Sequence, residues 1–195
     1  MMKNLYSQRE YRLKGKENGG TNSLTCSSRY INLMELHDML IIQAPGISEF
    51  RLKFLASDFN GTLAVDGKLI PGVASRLRKL SQLLDVHVIT ADTYGQAREE
   101  LNGVECSLQI VKGDDQAEQK RAFVERLGAL DTVSLGNGNN DMKMLEASGL
   151  GIAVIGREGA AISAINNADI TVCSVVDGLD LLLKPDRIKA TLRVA

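Results

Sequence analysis

From residue 39 onward, short apolar runs alternate with stretches of helical periodicity, and this alternation limits the possible folds more than any other feature. The strand-like runs are residues 39–43, 50–57, 86–89, 108–111, 132–135, 152–155 and 170–173. The helical stretches are residues 71–84, 94–101, 116–127, 141–147, 160–166 and 175–183. Strands that alternate with helices of about ten residues need crossover connections, which produce a mostly parallel sheet. The sequence therefore predicts a doubly wound α/β domain of three layers over residues 39–195.

Residues 1–38 differ from this body in composition. They lack aliphatic periodicity, and residues 15–23 have the glycine-rich, polar composition of a loop or a disordered segment. Six basic and four acidic residues give the segment a charge of +2, whereas the other 17 basic and 20 acidic residues give −3. It contains no apolar stretch typical of a secretory signal. We predict a disordered extension, with a partner-binding arm as the alternative.

The composition of the whole chain excludes several classes of protein. With 23 Lys and Arg against 24 Asp and Glu, the chain lacks the excess positive charge that neutralises nucleic-acid phosphates. No apolar run approaches the roughly 20 residues of a membrane-spanning helix. The three cysteines are far apart and form no CxxC pair, which argues against a disulfide scaffold and favours a reducing compartment. We predict a cytoplasmic protein that binds neither nucleic acid nor membrane.

Polar residues gather where three of the predicted strands end. Asp58 and Asn60 follow the strand at 50–57, Thr90 and Asp92 follow the next, and residues 137–141 follow the strand at 132–135. In a doubly wound, Rossmann-like sheet, ligands bind outside the carboxyl ends of the strands, at the point where the strand order reverses. We therefore expect the three groups to converge on one crevice.

Taken in chain order, these clusters form a set of motifs. The set is DFNGT at 58–62, TAD at 90–92, Lys120, and GNGNND at 136–141. It resembles the four motifs of the haloacid dehalogenase (HAD) superfamily of aspartate-nucleophile phosphatases and phosphotransferases, over about residues 50–175. Within that superfamily it is most similar to the soluble, P-type-ATPase-like members. Their first motif also lacks the second acid, and their second motif also reads Thr-x-Asp.

The resemblance implies a phosphate-binding role for five residues. Asp58 would attack phosphorus and form an aspartyl-phosphate. The Thr90 hydroxyl would donate a hydrogen bond to a phosphoryl oxygen, and Lys120 would neutralise both the phosphoryl group and Asp58. Gly61 and Ala91 would bring their backbone close to the phosphate. The implied ligand is a small phosphorylated substrate.

The resemblance also implies a magnesium site. Mg²⁺ takes carboxylate and carbonyl oxygens together with water. The implied ligands are Asp58, the backbone carbonyl of Asn60, Asn137 and Asp141. Considered singly, several of these positions allow other roles, since Asp141 and Asp92 also suit helix capping. Lys112 and Arg121 are alternatives to Lys120.

Two positions depart from the superfamily pattern. Asn60 stands where its phosphatases carry the aspartate that acts as general acid and base, and Asn137 stands where a metal-binding aspartate is usual. An amide exchanges no proton with a leaving group or with water, and general acid–base catalysis is worth about 10²–10⁴ in rate. The sequence therefore predicts slow turnover of simple phosphate esters, with a smaller penalty for acyl phosphates. A phosphate-binding or regulatory module with little turnover is the alternative.

Motif spacing leaves little room for a separate cap domain. Residues 62–86 accommodate one loop and one helix, and residues 92–120 accommodate a helix, a strand and part of a second helix. We therefore predict an open site on a capless domain, unless a homo-oligomer covers it with a neighbouring subunit.

Overall fold

A computed structural model describes residues 39–43, 45–46, 48–92 and 94–194, so the extension predicted for residues 1–38 lies outside it. The strands are β1 (Leu40–Ile42), β2 (Phe50–Leu52), β3 (Phe54–Ser57), β4 (Ala64–Val65), β5 (Lys68–Leu69), β6 (Asp85–Thr90), β7 (Ser107–Ile110), β8 (Thr132–Gly136), β9 (Leu150–Val154) and β10 (Ile170–Val172). The helices are α1 (Val73–Leu80), α2 (Ala97–Glu100), α3 (Gln116–Leu127), α4 (Met142–Ala147), α5 (Ile162–Asn166), α6 (Val175–Leu183) and α7 (Asp186–Leu192). Within these bounds, strands and helices alternate as predicted.

In the described part of the chain, six strands form a central sheet in the order β10-β9-β8-β3-β6-β7. Every neighbouring pair in this sheet is parallel. Counted along the chain, the spatial order is 3-2-1-4-5-6, the doubly wound arrangement whose direction of growth reverses between β3 and β8. The predicted α/β fold with a mostly parallel sheet is confirmed.

Helices cover both faces of this sheet, which gives the three predicted layers. On β3, the buried Leu55 belongs to one apolar cluster and the adjacent Ala56 to another, because successive side chains point to opposite faces of a strand. The first cluster includes buried residues of α1, α6 and α7. The second includes Val124 of α3 and Met144 of α4. Among the described helices, none is both long and apolar enough to span a bilayer.

The strand predicted at residues 50–57 is divided into two. β2 pairs antiparallel with β1 in a separate two-stranded sheet, and only β3 enters the central sheet. The break is at Lys53, whose N–H donates to the Asp131 carbonyl (2.8 Å) while its carbonyl accepts from the Asp85 N–H (2.9 Å). The local pattern does not reveal the break because the stretch alternates over its first half and turns apolar over its second, and both patterns are typical of a strand.

The structure also contains a β4–β5 hairpin and a final helix α7 that the sequence analysis did not predict. The hairpin turn is Asp66-Gly67, with both residues at positive φ, which is the strongest short-range hairpin signal. The turn has a clear sequence signal, but its strands of two residues each are too short to show a periodicity. Helix α7 follows Pro185 and buries Ile188 and Leu192.

Candidate active site

The three polar groups predicted at strand ends lie along one edge of the central sheet. Asp58 follows β3, Thr90 ends β6 and Asn137 follows β8, and β3 lies between the other two strands. The Asp58 N–H extends the ladder by donating to the Leu135 carbonyl of β8 (2.9 Å). Asp58 therefore occupies the point where the strand order reverses, which is where ligands bind in this class of fold.

A buried ion-pair triangle joins Asp58 to two residues that are distant in sequence. The Lys120 ammonium donates to Oδ1 of Asp58 at 2.5 Å and to Oδ1 of Asp141 at 2.6 Å. The side chains of Lys120 and Asp141 are fully buried, and that of Asp58 is 8% exposed. Lys120 reaches this position because α3 packs beside α4, directly before and after β8.

The electrostatics of the triangle are unbalanced, since two carboxylates share one ammonium. Burial raises the pKa of Asp58, the charge of Asp141 raises it further, and Lys120 offsets only part of this, so the pKa is about 7. For Lys120, burial alone would lower the pKa, but Asp141 and Asp58 raise it above its usual value. The lysine therefore stays protonated, while Asp58 changes its charge near neutral pH.

The Asp141 carboxylate anchors the backbone of the loop after β8. Its second carboxylate oxygen, Oδ2, accepts from the backbone N–H groups of Asn137 (3.0 Å) and Gly138 (2.8 Å). A Cβ on Gly136 would lie 2.5 Å from the Cβ of Asp141, so only glycine fits at the end of β8. With Oδ1 on Lys120, both oxygens of Asp141 already have donors within the protein.

The Asn137 side chain links the loop after β3 to two other loops. Its Oδ1 accepts from the Thr62 hydroxyl (3.2 Å), and its Nδ2 donates to the Gly159 carbonyl (3.1 Å). Its backbone carbonyl accepts from the Ala161 N–H (2.8 Å). Gly61 has φ +77°, and a Cβ there would lie only 2.4 Å from Asn137 Nδ2. The loops after β3, β8 and β9 are thereby held together around Asp58.

The Gly61→Ala variant should lose stability and activity together, since both its backbone conformation and its contact with Asn137 require glycine. We expect about 1–3 kcal/mol of destabilisation, from left-handed strain and displacement of Asn137. Gly103→Ala is the matched control, because Gly103 has φ +75° with open space around its Cβ position. Urea unfolding of both variants separates the two effects. An equal loss in the control would show that the Asn137 contact is unimportant.

Thr90 and Asp92 form a compact turn at the end of β6. The Thr90 hydroxyl accepts from the Asp92 N–H (3.0 Å), which leaves its own hydrogen for another acceptor. Oδ1 of Asp92 accepts from the Ala97 N–H (3.1 Å), at the start of α2. Asp92 therefore holds the first residue of that helix, and Ala91 lies half-buried between Asp92 and Thr90 in the chain.

Asn60 presents an unusual polar atom next to Asp58. Its Oδ1 is buried and, within the described structure, has no hydrogen-bond partner. An unsatisfied buried acceptor costs about 1–3 kcal/mol. This oxygen is therefore available to accept a hydrogen bond from a water molecule or a group bound beside Asp58.

The oxygen atoms around Asp58 fit a hard divalent cation. Among the described residues, no three His, Cys, Asp or Glu side chains are grouped to bind a metal by themselves. Asp58 has a second carboxylate oxygen besides the one on Lys120, and Asn60 adds an amide and a carbonyl oxygen. The two oxygens of Asn137 already accept hydrogen bonds, from Thr62 and Ala161, and each would have to bind the cation with its remaining lone pair. Mg²⁺ prefers such oxygen donors and keeps several waters. Asp141 joins this set only by giving up one of its present donors.

The structure distinguishes Lys120 from the alternative cations. Arg121 lies on the outer face of α3 and pairs with Glu125 (3.0 Å), and Lys112 is exposed. Sequence reasoning assigned no role to Thr62, although it belongs to the first motif and contacts Asn137. The anchoring carbonyl of Gly159 carried no sequence signal at all, since any residue can supply a backbone acceptor.

Comparison with known proteins identifies the fold. Similar structures include 3-deoxy-D-manno-octulosonate 8-phosphate phosphatase from Moraxella catarrhalis, in complex with magnesium ion, phosphate ion and KDO (TM-score 0.58, 19% identity, 73% of this chain and 94% of that chain). The cobalt-bound phosphatase of this name from Haemophilus influenzae has a TM-score of 0.57 with 15% identity over 73% and 94% of the two chains. A HAD subfamily III A hydrolase from Legionella pneumophila has a TM-score of 0.58 with 17% identity over 72% and 87%. The chain has the fold of HAD superfamily hydrolases.

Sequence comparison adds one relative. No family model matches the chain. An uncharacterised protein from Methanocaldococcus jannaschii is 51% identical over 61 residues, which make up 31% of this chain and 66% of that protein. The chain thus spans slightly less than two thirds of this relative.

Proposed function

We propose that the protein is a Mg²⁺-dependent phosphohydrolase or phosphotransferase of the HAD type that acts through Asp58. The observation that carries the proposal is the buried Asp58–Lys120–Asp141 triangle at the reversal point of the sheet. A fully buried ammonium paired to two carboxylates is costly to maintain for stability alone. It is explained by a site that must hold an anionic nucleophile against an anionic phosphoryl group.

Each residue of the site has a specific task in this proposal. Asp58 attacks phosphorus in line with the leaving group and becomes an aspartyl-phosphate. Lys120 balances the negative charge that builds up when the phosphate enters. Thr90 donates its hydroxyl hydrogen to a phosphoryl oxygen, and the backbone at Gly61 and Ala91 lies against the phosphate.

A bound magnesium ion would neutralise the phosphoryl oxygens and orient them toward Asp58. Asp58, the Asn60 carbonyl and Asn137 would hold it, with Asp141 as the fourth candidate ligand. Two of the similar phosphatases were crystallised with a divalent ion, magnesium in one and cobalt in the other. Because position 137 carries an amide where the superfamily pattern has a carboxylate, the protein's affinity for Mg²⁺ should be weak.

We also propose a place for the protein within the superfamily. The Thr90-Ala-Asp92 motif and the missing second acid support a soluble, P-type-ATPase-like member of the superfamily. Between Asp58 and Thr90 the chain forms only the β4–β5 hairpin and α1 besides β6, which supports an open, capless site. We further propose a cytoplasmic protein that acts on a small phosphorylated substrate. A homo-oligomer that covers the site and a single domain over residues 39–195 remain predictions.

Incubation with Mg²⁺ and either acetyl phosphate or p-nitrophenyl phosphate tests the proposed function. We expect phosphate release by the wild type and a covalent phosphoenzyme after acid quenching with ³²P-labelled acetyl phosphate. The Asp58→Asn variant should give neither, because an amide is not a nucleophile. Equal phosphate release by wild type and variant would contradict the proposal.

The second candidate is a phosphate-binding or regulatory module with little or no turnover. The observation that favours it is that positions 60 and 137 both carry an amide, where the superfamily's phosphatases usually carry an acid. The Asn60→Asp/Asn137→Asp double variant distinguishes the candidates when phosphate release is measured at saturating Mg²⁺. A rate well above wild type identifies a slow enzyme, whereas phosphate binding with no turnover in either protein identifies a binding module.

A further inference from the structure

Among the described side chains around Asp58, none is both acidic enough and free to protonate a departing oxygen. The Thr90 hydroxyl keeps a free hydrogen, but a hydroxyl is too weak an acid for this task. Both carboxylate oxygens of Asp141 are engaged within the protein. Oδ1 accepts from Lys120, and Oδ2 accepts from the backbone N–H groups of Asn137 and Gly138. Lys120 donates to both carboxylates and is fully buried. The Thr62 hydroxyl donates to Asn137, and Asp92 is engaged at the start of α2. Any leaving group must therefore depart without a proton from these side chains.

By the resemblance described above, Asn60 stands where a general acid is usual, two residues after Asp58. Its buried, unpartnered Oδ1 can accept a hydrogen bond but cannot supply a proton. The contribution that a general acid makes, about 10²–10⁴ in rate, is therefore missing for basic leaving groups. Leaving groups that are stable as anions do not need this contribution, because they depart without a proton.

From this accounting we infer that the substrates are acyl phosphates or similar mixed anhydrides, whose leaving group is a weak base, rather than alkyl phosphate esters. The inference rests on the proposed function of Asp58. In the first step, an Asp58 oxygen forms a bond to phosphorus while the bond from phosphorus to the leaving oxygen breaks. The electron pair leaves with a carboxylate anion, so no proton is needed. In the second step, a water oxygen forms a bond to phosphorus while the bond from phosphorus to the Asp58 oxygen breaks, which restores the Asp58 carboxylate. The product is inorganic phosphate, and the excess proton passes to solvent.

Hydrolysis of the aspartyl-phosphate also lacks a catalytic proton acceptor at position 60. Asn60 cannot remove a proton from the attacking water, so hydrolysis of the aspartyl-phosphate receives no general-base assistance from this position. The phosphoenzyme should therefore accumulate during turnover of a good substrate. Accumulation appears as a burst of leaving group, one per active site, before the slower steady state.

A leaving-group series tests the inference directly. kcat/KM is measured with Mg²⁺ for acetyl phosphate, 2,4-dinitrophenyl phosphate, p-nitrophenyl phosphate and phenyl phosphate, in wild type and in Asn60→Asp. For the wild type we expect a steep fall as the leaving group becomes more basic. Asn60→Asp should raise kcat/KM for phenyl phosphate about 10²-fold or more, and for acetyl phosphate less than about tenfold. Asn102→Asp, an exposed change before β7 at the opposite end of the sheet, is the control for added charge.

The outcomes separate this inference from the proposed function. Activity that depends on Asp58 but shows no preference between acetyl and phenyl phosphate in the wild type overturns the inference alone. Absence of Asp58-dependent activity with every substrate overturns both. The wild-type series decides the question even where Asn60→Asp folds poorly.

Discussion

The Asp58→Asn variant should unfold at a higher temperature than the wild type while losing all phosphoryl transfer. In the wild type the ionised Asp58 is buried beside Asp141 and shares a single ammonium with it. A carboxyl pKa raised from 3.8 to about 7 corresponds to at most about 4 kcal/mol of destabilisation of the folded state. An amide removes this cost and can still accept from Lys120. We expect a gain of about 1–3 kcal/mol, or about 3–8 °C in the melting temperature.

The stability gained by Asp58→Asn should depend on pH. Between about pH 4 and pH 7 the folded protein retains a proton on Asp58 that the unfolded chain has already lost. The contribution of Asp58 to stability therefore falls as the pH rises through this window and stays low above it. The difference between Asp58→Asn and wild type should be small at pH 4 and largest above pH 7. Calorimetry or thermal melts in EDTA across this range measure it, since a bound cation would offset the effect.

Asp180→Asn provides a control with the opposite sign. Two hydrogen bonds from Arg76, at 2.8 and 3.0 Å, lower the pKa of Asp180. A carboxyl group whose pKa is lowered by folding stabilises the folded protein at pH values above its pKa in the unfolded chain. The Asp180→Asn variant should therefore be slightly less stable than wild type at neutral pH. An Asp58→Asn variant that melts below wild type at pH 8 would contradict the view that the nucleophile is held at a cost to stability.

The sequence was sufficient for the sheet and for the positions of the motifs because both depend on local pattern. Alternating apolar runs and helical stretches require crossovers, and the crossovers bring the carboxyl ends of β3, β6 and β8 to one edge. The predicted boundaries fail where tertiary contacts decide, as at Lys53, whose backbone bonds to Asp131 and Asp85 divide one apolar run into two strands.

The arrangement of the site was less accessible from sequence. Spacing alone could not choose Lys120 over Arg121, because the choice depends on which face of α3 packs against the sheet. Nor could it show that both oxygens of Asp141 are engaged by Lys120 and by the loop after β8. The buried, unpartnered oxygen of Asn60 is likewise a property of packing.

Lys120→Met should have the largest destabilising effect of any substitution at the site. It leaves two buried carboxylates facing each other with no counter-charge, and breaking a buried pair in this way costs about 3–5 kcal/mol. The loss should shrink toward pH 5, where Asp58 protonates and the repulsion falls. If Lys120 is the cation opposite the phosphoryl group, as proposed, its loss should also lower kcat by about 10²–10³ or more. Urea unfolding at pH 8 and pH 5, with parallel kinetics, measures both effects.

Two further variants separate the charge imbalance from simple loss of a side chain. Lys143→Met removes a partly exposed lysine that pairs with Glu118 at 2.9 Å, and it should cost less than about 1 kcal/mol. Lys120→Met/Asp58→Asn returns the buried site to its original net charge, so it should be more stable than Lys120→Met although it is inactive. A double variant no more stable than the single one would show that packing of the lysine side chain, rather than charge, determines its contribution. The expected rescue follows because Asp141 keeps its two backbone donors in either background and Asp58 supplies the excess negative charge.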